Sequence, residues 1–202
     1  LARHVEYPDY RLHDATPQEN NIYAFECNST GFLGVKVKVE EPTRLQVRFD
    51  EVLWEDGNVN ASRLGCQAYI IYELQPGDYT IESFEPYTMQ YVQTEVESGK
   101  CSVEGIYMRD YCNSDVDRAT FVSGNADLDR LFEVARETFR QNALDVFMDC
   151  PSRERAGWLC DSYFTSRVAF DLSGDTQIER NFIQNFLLPE KFKHIDEGML
   201  PM

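Results

Sequence analysis

Hydrophobic and polar residues alternate with a period of two from about residue 20 to residue 120. Val35, Val37 and Val39 alternate with lysines, and the stretch from Leu45 to Phe49 repeats the pattern. Such alternation is typical of β-strands that bury one face. Because no helical pattern separates these runs, we predict an antiparallel β-sandwich of the jelly-roll type, in which two sheets cover each other's apolar faces.

Three segments with turn-forming residues lie between the strand-like runs. Proline presets the backbone dihedral in the first, glycine permits a positive φ in the last, and the middle segment contains both residue types. We therefore predict turns at Glu41–Arg44, Gln75–Asp78 and Glu97–Lys100.

The period changes near residue 121, where apolar residues recur at the three- and four-residue spacing of one helix face. Asn125 and Asp175 are suited to cap exposed backbone N–H groups at two helix starts, while Gly174 and Pro189 mark helix ends. We predict helices over residues 126–142, 161–172 and 176–188.

The apolar faces of these helices need helical partners. Phe164 with Val168 on the second helix, and Ile178 with Phe182 and Phe186 on the third, find none in a chain of 202 residues. We therefore assign residues 1–120 to a β-sandwich domain and residues 121–202 to the first helices of a truncated helical domain.

Composition narrows the possible partners. The net charge of −16 argues against nucleic acid, because phosphate recognition relies on clustered lysine and arginine. The apolar runs are too short to cross a bilayer, so no membrane insertion is expected. The sequence leaves the oligomeric state and the compartment open, with a periplasmic or extracellular location favoured over a cytoplasmic one.

The six cysteines form no CxxC pair, and the three histidines lie far apart in the sequence. This spacing argues against a zinc site, and no metal is expected. A chain of this length does not depend on disulfides to fold, so we expect buried free thiols.

The segment from Asp149 to Asp161 is dense in charge and contains one tryptophan. Pro151 disfavours helix at the preceding residue and Gly157 allows the backbone to bend, which predicts a loop between two helices. Hydrolysis of a glycosidic bond requires a carboxylic acid and a second carboxylate. Glu154, between two arginines, is the candidate acid in this loop.

The other residues of the segment suit sugar binding. Asp149 and Asp161 can accept hydrogen bonds from vicinal hydroxyls, or place like charge near Glu154, and Trp158 can stack on an apolar sugar edge. The residues alone also permit a structural interpretation. In that alternative the arginines and acids form an ion-pair network that ties the loop to the helices, and Trp158 is a core residue.

The string from Asp149 to Trp158 reads DCPSRERAGW and is followed by Asp161. It resembles the signature of the bacterial α-L-rhamnosidases, glycoside hydrolase family 78 of the six-hairpin glycosidase superfamily, which typically reads DCPxRERxGWxxD. Upstream, Phe121–Asn125, then Leu128 and the helix to Asn142, resemble the first barrel helix of that family and its approach to the motif. Phe84–Val92 resembles a strand of the β-sandwich that precedes the barrel.

The resemblance implies an (α/α)6 barrel behind a β-sandwich, and inverting hydrolysis of terminal α-L-rhamnosyl groups from a glycan or glycoside without a cofactor. It assigns Glu154 as the general acid and Asp149 and Asp161 as carboxylates that hold the sugar. Arg153 and Trp158 are expected in the sugar pocket. The family's general base is a glutamate far downstream, so we expect it to be absent from this chain, which is then inactive alone.

The sequence departs from the family after the tryptophan. The family usually has Thr-Gly-Asp-Ala where this chain has Leu159-Cys160-Asp161-Ser162. Two alternatives therefore stay open. One is a glycosidase of the same superfamily with another sugar specificity, and the other is a carbohydrate-binding module without catalysis.

Overall fold

The computed structural model describes residues 11–187 together with His194, Asp196 and Met199. These residues divide into two compact units, an all-β unit that ends at Tyr111 and a helical unit that begins at Cys112. The assignment of residues 121–202 to a truncated barrel stays a prediction. None of the helices in the described part of the chain is long and apolar enough to cross a bilayer.

The β unit contains six strands, and all their pairings are antiparallel. Two of them are much longer than the others and pair with each other along most of their length. The strands are β1 (Leu12–Asp14), β2 (Thr16–Pro17), β3 (Ile22–Asp50), β4 (Tyr69–Leu74), β5 (Gly77–Glu82) and β6 (Tyr87–Asp110).

The long strands β3 and β6 contribute to two arms of the sheet. In the first arm, residues 44–50 of β3 lie between residues 91–98 of β6 and strand β4. In the second arm, residues 31–39 of β3 lie between residues 101–110 of β6 and strand β5. Register shifts mark the bend between the arms.

The apolar residues of both arms meet in a single core. Val35, Val37 and Val39 from the second arm are buried in the same cluster as Leu45 and Val47 from the first, while the intervening lysines are exposed. The arms therefore pack face to face. The predicted antiparallel sandwich is confirmed, and the alternation of the sequence is the alternation of its two faces.

Two of the three predicted turns are bends within strands. Glu41–Arg44 lies inside β3 and Glu97–Lys100 lies inside β6, at the point where both strands pass from one arm to the other. Gly99 has a φ of 82°, and a Cβ atom there would lie 2.1 Å from the carbonyl oxygen of Pro42. The turn-forming residues are needed for this bend rather than for a reversal. Residues 75 and 76 do separate β4 from β5.

In its described residues the helical unit contains three α-helices, α1 (Ala126–Asn142), α2 (Leu159–Ser173) and α3 (Gln177–Phe186). The side chain of Asn125 accepts hydrogen bonds from the first turn of α1, as predicted. Gly174 ends α2 with a left-handed φ of 71°. Asp175 accepts a hydrogen bond from the Gln177 backbone at 2.5 Å, and the predicted end of α3 at Leu188 lies outside the described residues.

The core of the helical unit is small. Phe139, Phe147, Ala169 and Ile178 are buried together, so Ile178 does find partners, contrary to the sequence prediction. The other faces stay open: Phe164 is 66% exposed and Leu131, Phe170 and Ile183 are similarly accessible.

All six cysteines are free thiols, but only Cys112 is buried. Cys27 and Cys160 are exposed and the others are half-buried, so the expectation of buried thiols was wrong for five of them. Cys160 lies in the first turn of α2, a helix whose apolar residues are themselves largely exposed.

Candidate active site

The charged segment lies in the connection between α1 and α2 and runs into the first turn of α2. The part of the connection that precedes it is anchored in the helical core, where Ala143 forms an isolated bridge with Phe147 and both residues are buried. Asn181 of α3 donates a hydrogen bond to the carbonyl oxygen of Asp145 at 3.0 Å. The helices therefore fix the approach to the loop before its charged residues begin.

The loop is closed at its neck by Asp149 and Ala156. The Asp149 N–H donates to the Ala156 carbonyl at 3.0 Å, and the Ala156 N–H donates to Asp149 Oδ1 at 2.9 Å. Burial alone raises the pKa of Asp149, but hydrogen bonds from the backbone N–H groups of Ala156 and Cys150 outweigh it and hold the pKa below its ordinary value. Asp149 is therefore ionised at neutral pH and stabilises the loop.

The carboxylate of Glu154 is held between two side chains of the loop. Oε1 forms a salt bridge with Arg153, and the indole N–H of Trp158 donates to Oε2 at 2.9 Å. The backbone N–H of Glu154 donates to the sulfur of Cys150 at 3.3 Å. With both oxygens occupied, the glutamate side chain has a fixed orientation although it is 34% exposed.

Two backbone features shape the second half of the loop. Arg155 has a φ of 54°, a left-handed conformation that costs a non-glycine residue about 1 kcal/mol. Gly157 does not have a positive φ; a Cβ atom there would lie 2.9 Å from the ring of Phe182 on α3. The sequence predicted that Gly157 permits a bend, but its structural role is close contact with α3.

Asp161 lies in the first turn of α2, where it is exposed. Its negative charge is favoured at this position by the helix dipole. The structure thus joins Glu154, Arg153 and Trp158 by direct contacts, places Asp149 at the neck of the loop, and places Asp161 on the following helix. The predicted roles of all five residues stay predictions.

A groove of about 730 Å³ lies in the helical unit and connects with the neck of the loop. Asp149 belongs to its lining, whereas Glu154 does not. The remaining lining is largely apolar and comes mostly from α1 and α2, including Phe132, Phe139, Phe164, Val168 and Leu172.

Residues 117–201 match the bacterial alpha-L-rhamnosidase 6 hairpin glycosidase domain. The resemblance to the bacterial α-L-rhamnosidases is confirmed. An α-L-rhamnosidase from Alteromonas sp. (strain LOR) is 28% identical over 147 residues, which is 70% of this chain and 16% of that protein.

Solved α-L-rhamnosidase structures share the fold. The enzyme from Dictyoglumus thermophilum superposes with a TM-score of 0.69 at 20% identity and covers 88% of this chain and 21% of its own. A Klebsiella oxytoca rhamnosidase with rhamnose bound gives a TM-score of 0.68 at 20% identity, covering 86% of this chain and 36% of its own. The chain therefore spans between about a sixth and about a third of the length of these α-L-rhamnosidase relatives.

Three contributors to the site were missed by sequence reasoning. The backbone of Ala156, the sulfur of Cys150 and the ring of Phe182 all position the loop, but none has a side chain that indicates catalysis. The contacts of Ala156 and Cys150 join residues that are close in the sequence. The short separation of Asp149 and Ala156 could therefore have indicated a closed loop. The Phe182 contact depends on how α3 packs, which the sequence does not reveal.

Proposed function

We propose that residues 149–158 of the helical unit are the acid loop of an inverting α-L-rhamnosidase, in which Glu154 protonates the oxygen of the departing group. The observation that carries this proposal is the hydrogen bond from the indole N–H of Trp158 to Oε2 of Glu154, which orients the carboxyl group. A proton donor must be held in one orientation relative to the glycosidic oxygen, and a fixed carboxyl group satisfies that requirement.

Asp149 and Asp161 are proposed to hold the sugar. Asp149 lines the groove, and one of its oxygens accepts the Ala156 N–H while the other lone pairs are suited to sugar hydroxyls. Asp161 is exposed in the first turn of the next helix. An inverting enzyme also needs a base that activates water on the opposite face of the sugar, and we assign that base to the longer enzyme rather than to this chain.

The guanidinium of Arg153 occupies Oε1 of Glu154, so that oxygen cannot at the same time contact a glycosidic oxygen. We therefore propose that Arg153 turns from Glu154 to the substrate when a sugar binds, so that Trp158 and the sugar surround the carboxyl group. The rest of a barrel, covering the open faces of α1 and α2, would exclude water from the same site.

Substitution of Glu154 by glutamine in the complete enzyme tests this assignment. Glutamine keeps the side-chain shape but has no acidic proton, so the rate of cleavage of an alkyl rhamnoside is expected to fall at least about 100-fold. A 4-nitrophenyl rhamnoside is expected to lose less, because its leaving group needs less protonation. Initial rates on both substrates measure the difference.

Asp127→Asn is the matched control, since Asp127 is an exposed carboxylate in the first turn of α1. It is expected to leave both rates unchanged. Equal losses on the two substrates in Glu154→Gln, or no loss at all, would remove Glu154 as the acid.

A second candidate is a glycosidase of the same superfamily with another sugar specificity, or a module that binds sugar without cleaving it. It is favoured by Leu159 and Cys160, which are both exposed beside Asp161 and differ from the usual family residues. A panel of aryl glycosides, with proton NMR of the anomer first released, separates the alternatives. Release of L-rhamnose with inverted anomeric configuration supports the main proposal. Release of another sugar supports the glycosidase of different specificity, and binding without turnover supports the non-catalytic module.

A further inference from the structure

We propose that the β-sandwich carries a second carbohydrate-binding site, in a polar cleft that contains Trp54, Arg48 and Tyr69. The cleft has a volume of about 610 Å³ and lies wholly within the β unit. Pockets of this size hold small organic ligands. The proposal depends on the sandwich alone and does not require Glu154 to be an acid.

The floor of the cleft is a row of side chains across three adjacent strands. Gln93 of β6 is the register partner of Arg48 of β3, and Arg48 is the register partner of Tyr69 of β4. Because Val47 and Phe49 point into the core, Arg48 between them points outward. The three polar side chains therefore stand side by side on the outer face of the first arm.

The wall of the cleft is a loop that Gln93 holds in place. Its amide nitrogen donates to the side chain of Asn58 at 2.9 Å and to the backbone of Asn20 at 3.1 Å. Its amide oxygen accepts the backbone N–H of Val59 at 3.2 Å. Gln93 and Val59 are buried, so the wall is fixed before a ligand arrives and little ordering is required on binding.

Both ends of the loop are also fixed. The backbone N–H of Trp54 donates to the carbonyl oxygen of Asn58 at 2.8 Å, which closes a tight turn. Arg63 donates two hydrogen bonds of 2.7 Å to the buried carboxylate of Asp50, the residue that ends β3. Trp54 is therefore presented on a rigid support although it is 46% exposed.

The chemistry of the cleft favours a neutral sugar. An exposed indole beside a tyrosine offers apolar faces for a sugar ring, and the amide groups of Gln46 and Asn58 can exchange hydrogen bonds with hydroxyls. The charge of Arg48 is balanced by Glu95 at 2.5 Å, which disfavours an anionic ligand.

The two tryptophans of the chain make the proposal testable, because Trp54 lies in this cleft and Trp158 in the acid loop. In a Trp158→Phe variant, all tryptophan emission comes from Trp54. Titration with methyl α-L-rhamnoside, methyl β-D-galactoside and a rhamnose-containing oligosaccharide is expected to change that emission in a saturable way for at least one probe. No saturable change with any of the three overturns the proposal.

Calorimetry on variants of the complete chain provides the second measurement. Trp54→Ala removes the stacking surface and Arg48→Met removes the guanidinium, and each is expected to weaken binding by roughly tenfold or more. Phe84→Ala is the matched control, because Phe84 is a 99% exposed aromatic residue of the same unit outside the cleft. Equal affinities of Trp54→Ala and Phe84→Ala would also overturn the proposal.

The reciprocal Trp54→Phe variant distinguishes this site from the acid loop. If its Trp158 emission responds to the probes while the Trp158→Phe variant does not, sugar binds at the acid loop and the cleft proposal is wrong. If only the Trp158→Phe variant responds, the cleft proposal is supported and the sugar-binding role of the acid loop is contradicted.

Discussion

The β unit and the helical unit differ in how fully they bury their apolar residues. In the sandwich, twelve buried residues from both arms form one cluster, so each apolar face has a partner. In the helical unit the corresponding cluster has six residues, while Leu131, Phe164 and Leu187 are 64%, 66% and 71% exposed. The two arms of the sandwich therefore bury each other's apolar faces, whereas α1, α2 and α3 present exposed apolar surfaces suited to further helices.

The largest effect is expected from removing a core side chain of the sandwich. Leu45 is fully buried, so Leu45→Ala should lower the free energy of unfolding by about 2–5 kcal/mol. Leu131→Ala, on the open face of α1, should change it by less than about 0.5 kcal/mol. Urea denaturation of the 202-residue chain, followed by circular dichroism, measures both.

The same Leu131→Ala variant sharpens the comparison in the complete enzyme. If further barrel helices cover α1, the substitution there should cost about 2 kcal/mol or more. A negligible cost in both proteins would contradict the prediction that residues 121–202 are the first part of a barrel.

A smaller effect is expected at the bend of the long strands. Gly99→Ala combines a left-handed φ with a contact of 2.1 Å to a backbone oxygen, so we expect a loss of about 2–4 kcal/mol. Gly174→Ala in the helical unit has the same backbone strain but no atom within 4 Å, and about 1 kcal/mol is expected. Thermal unfolding of the two variants compares them, and equal shifts would show that the contact with Pro42 relaxes easily.

The smallest effect is expected from the charge of Asp149. Its pKa is lower in the folded chain than in the unfolded chain, so its contribution is fully present above the unfolded value of about 4 and is lost as pH falls through the folded pKa. Asp149→Asn should therefore lower stability by about 1 kcal/mol at neutral pH and by less in acid. Denaturation of wild type and variant at a series of pH values measures the difference.

Asp56 provides the control in the β unit. Hydrogen bonds from Asn58 also lower the pKa of Asp56, but that carboxylate is fully exposed to solvent. Asp56→Asn is expected to change stability less than Asp149→Asn at neutral pH. The opposite order would show that the neck of the acid loop gains nothing from its charge.

The sequence predicted the elements whose causes are local. The alternation of Val35, Val37 and Val39 identified a one-sided strand, and Asn125 identified the start of α1 because a cap acts within one turn. The bends were misjudged as turns, since proline and glycine signal a change of direction without specifying its angle. Which β6 residues face β3 at those bends is decided by non-local pairing.

The candidate site was predicted unevenly for the same reason. The identity of Glu154 and its neighbours came from a contiguous motif, whereas the groove beside Asp149 requires α1 and α2 to be placed in space. The cleft in the sandwich had no sequence signal at all. Gln93, Arg48 and Tyr69 are far apart along the chain and become neighbours only through strand register.

The closed neck between Asp149 and Ala156 fixes both ends of the peptide formed by residues 150–155. A peptide held at both ends in this way can change its sequence while the helices that support it stay the same. New side chains within it would be presented at the same spot without any shift of α1 or α2. Substitutions at a few consecutive positions would therefore change the chemistry of this loop and leave the helical core as it is.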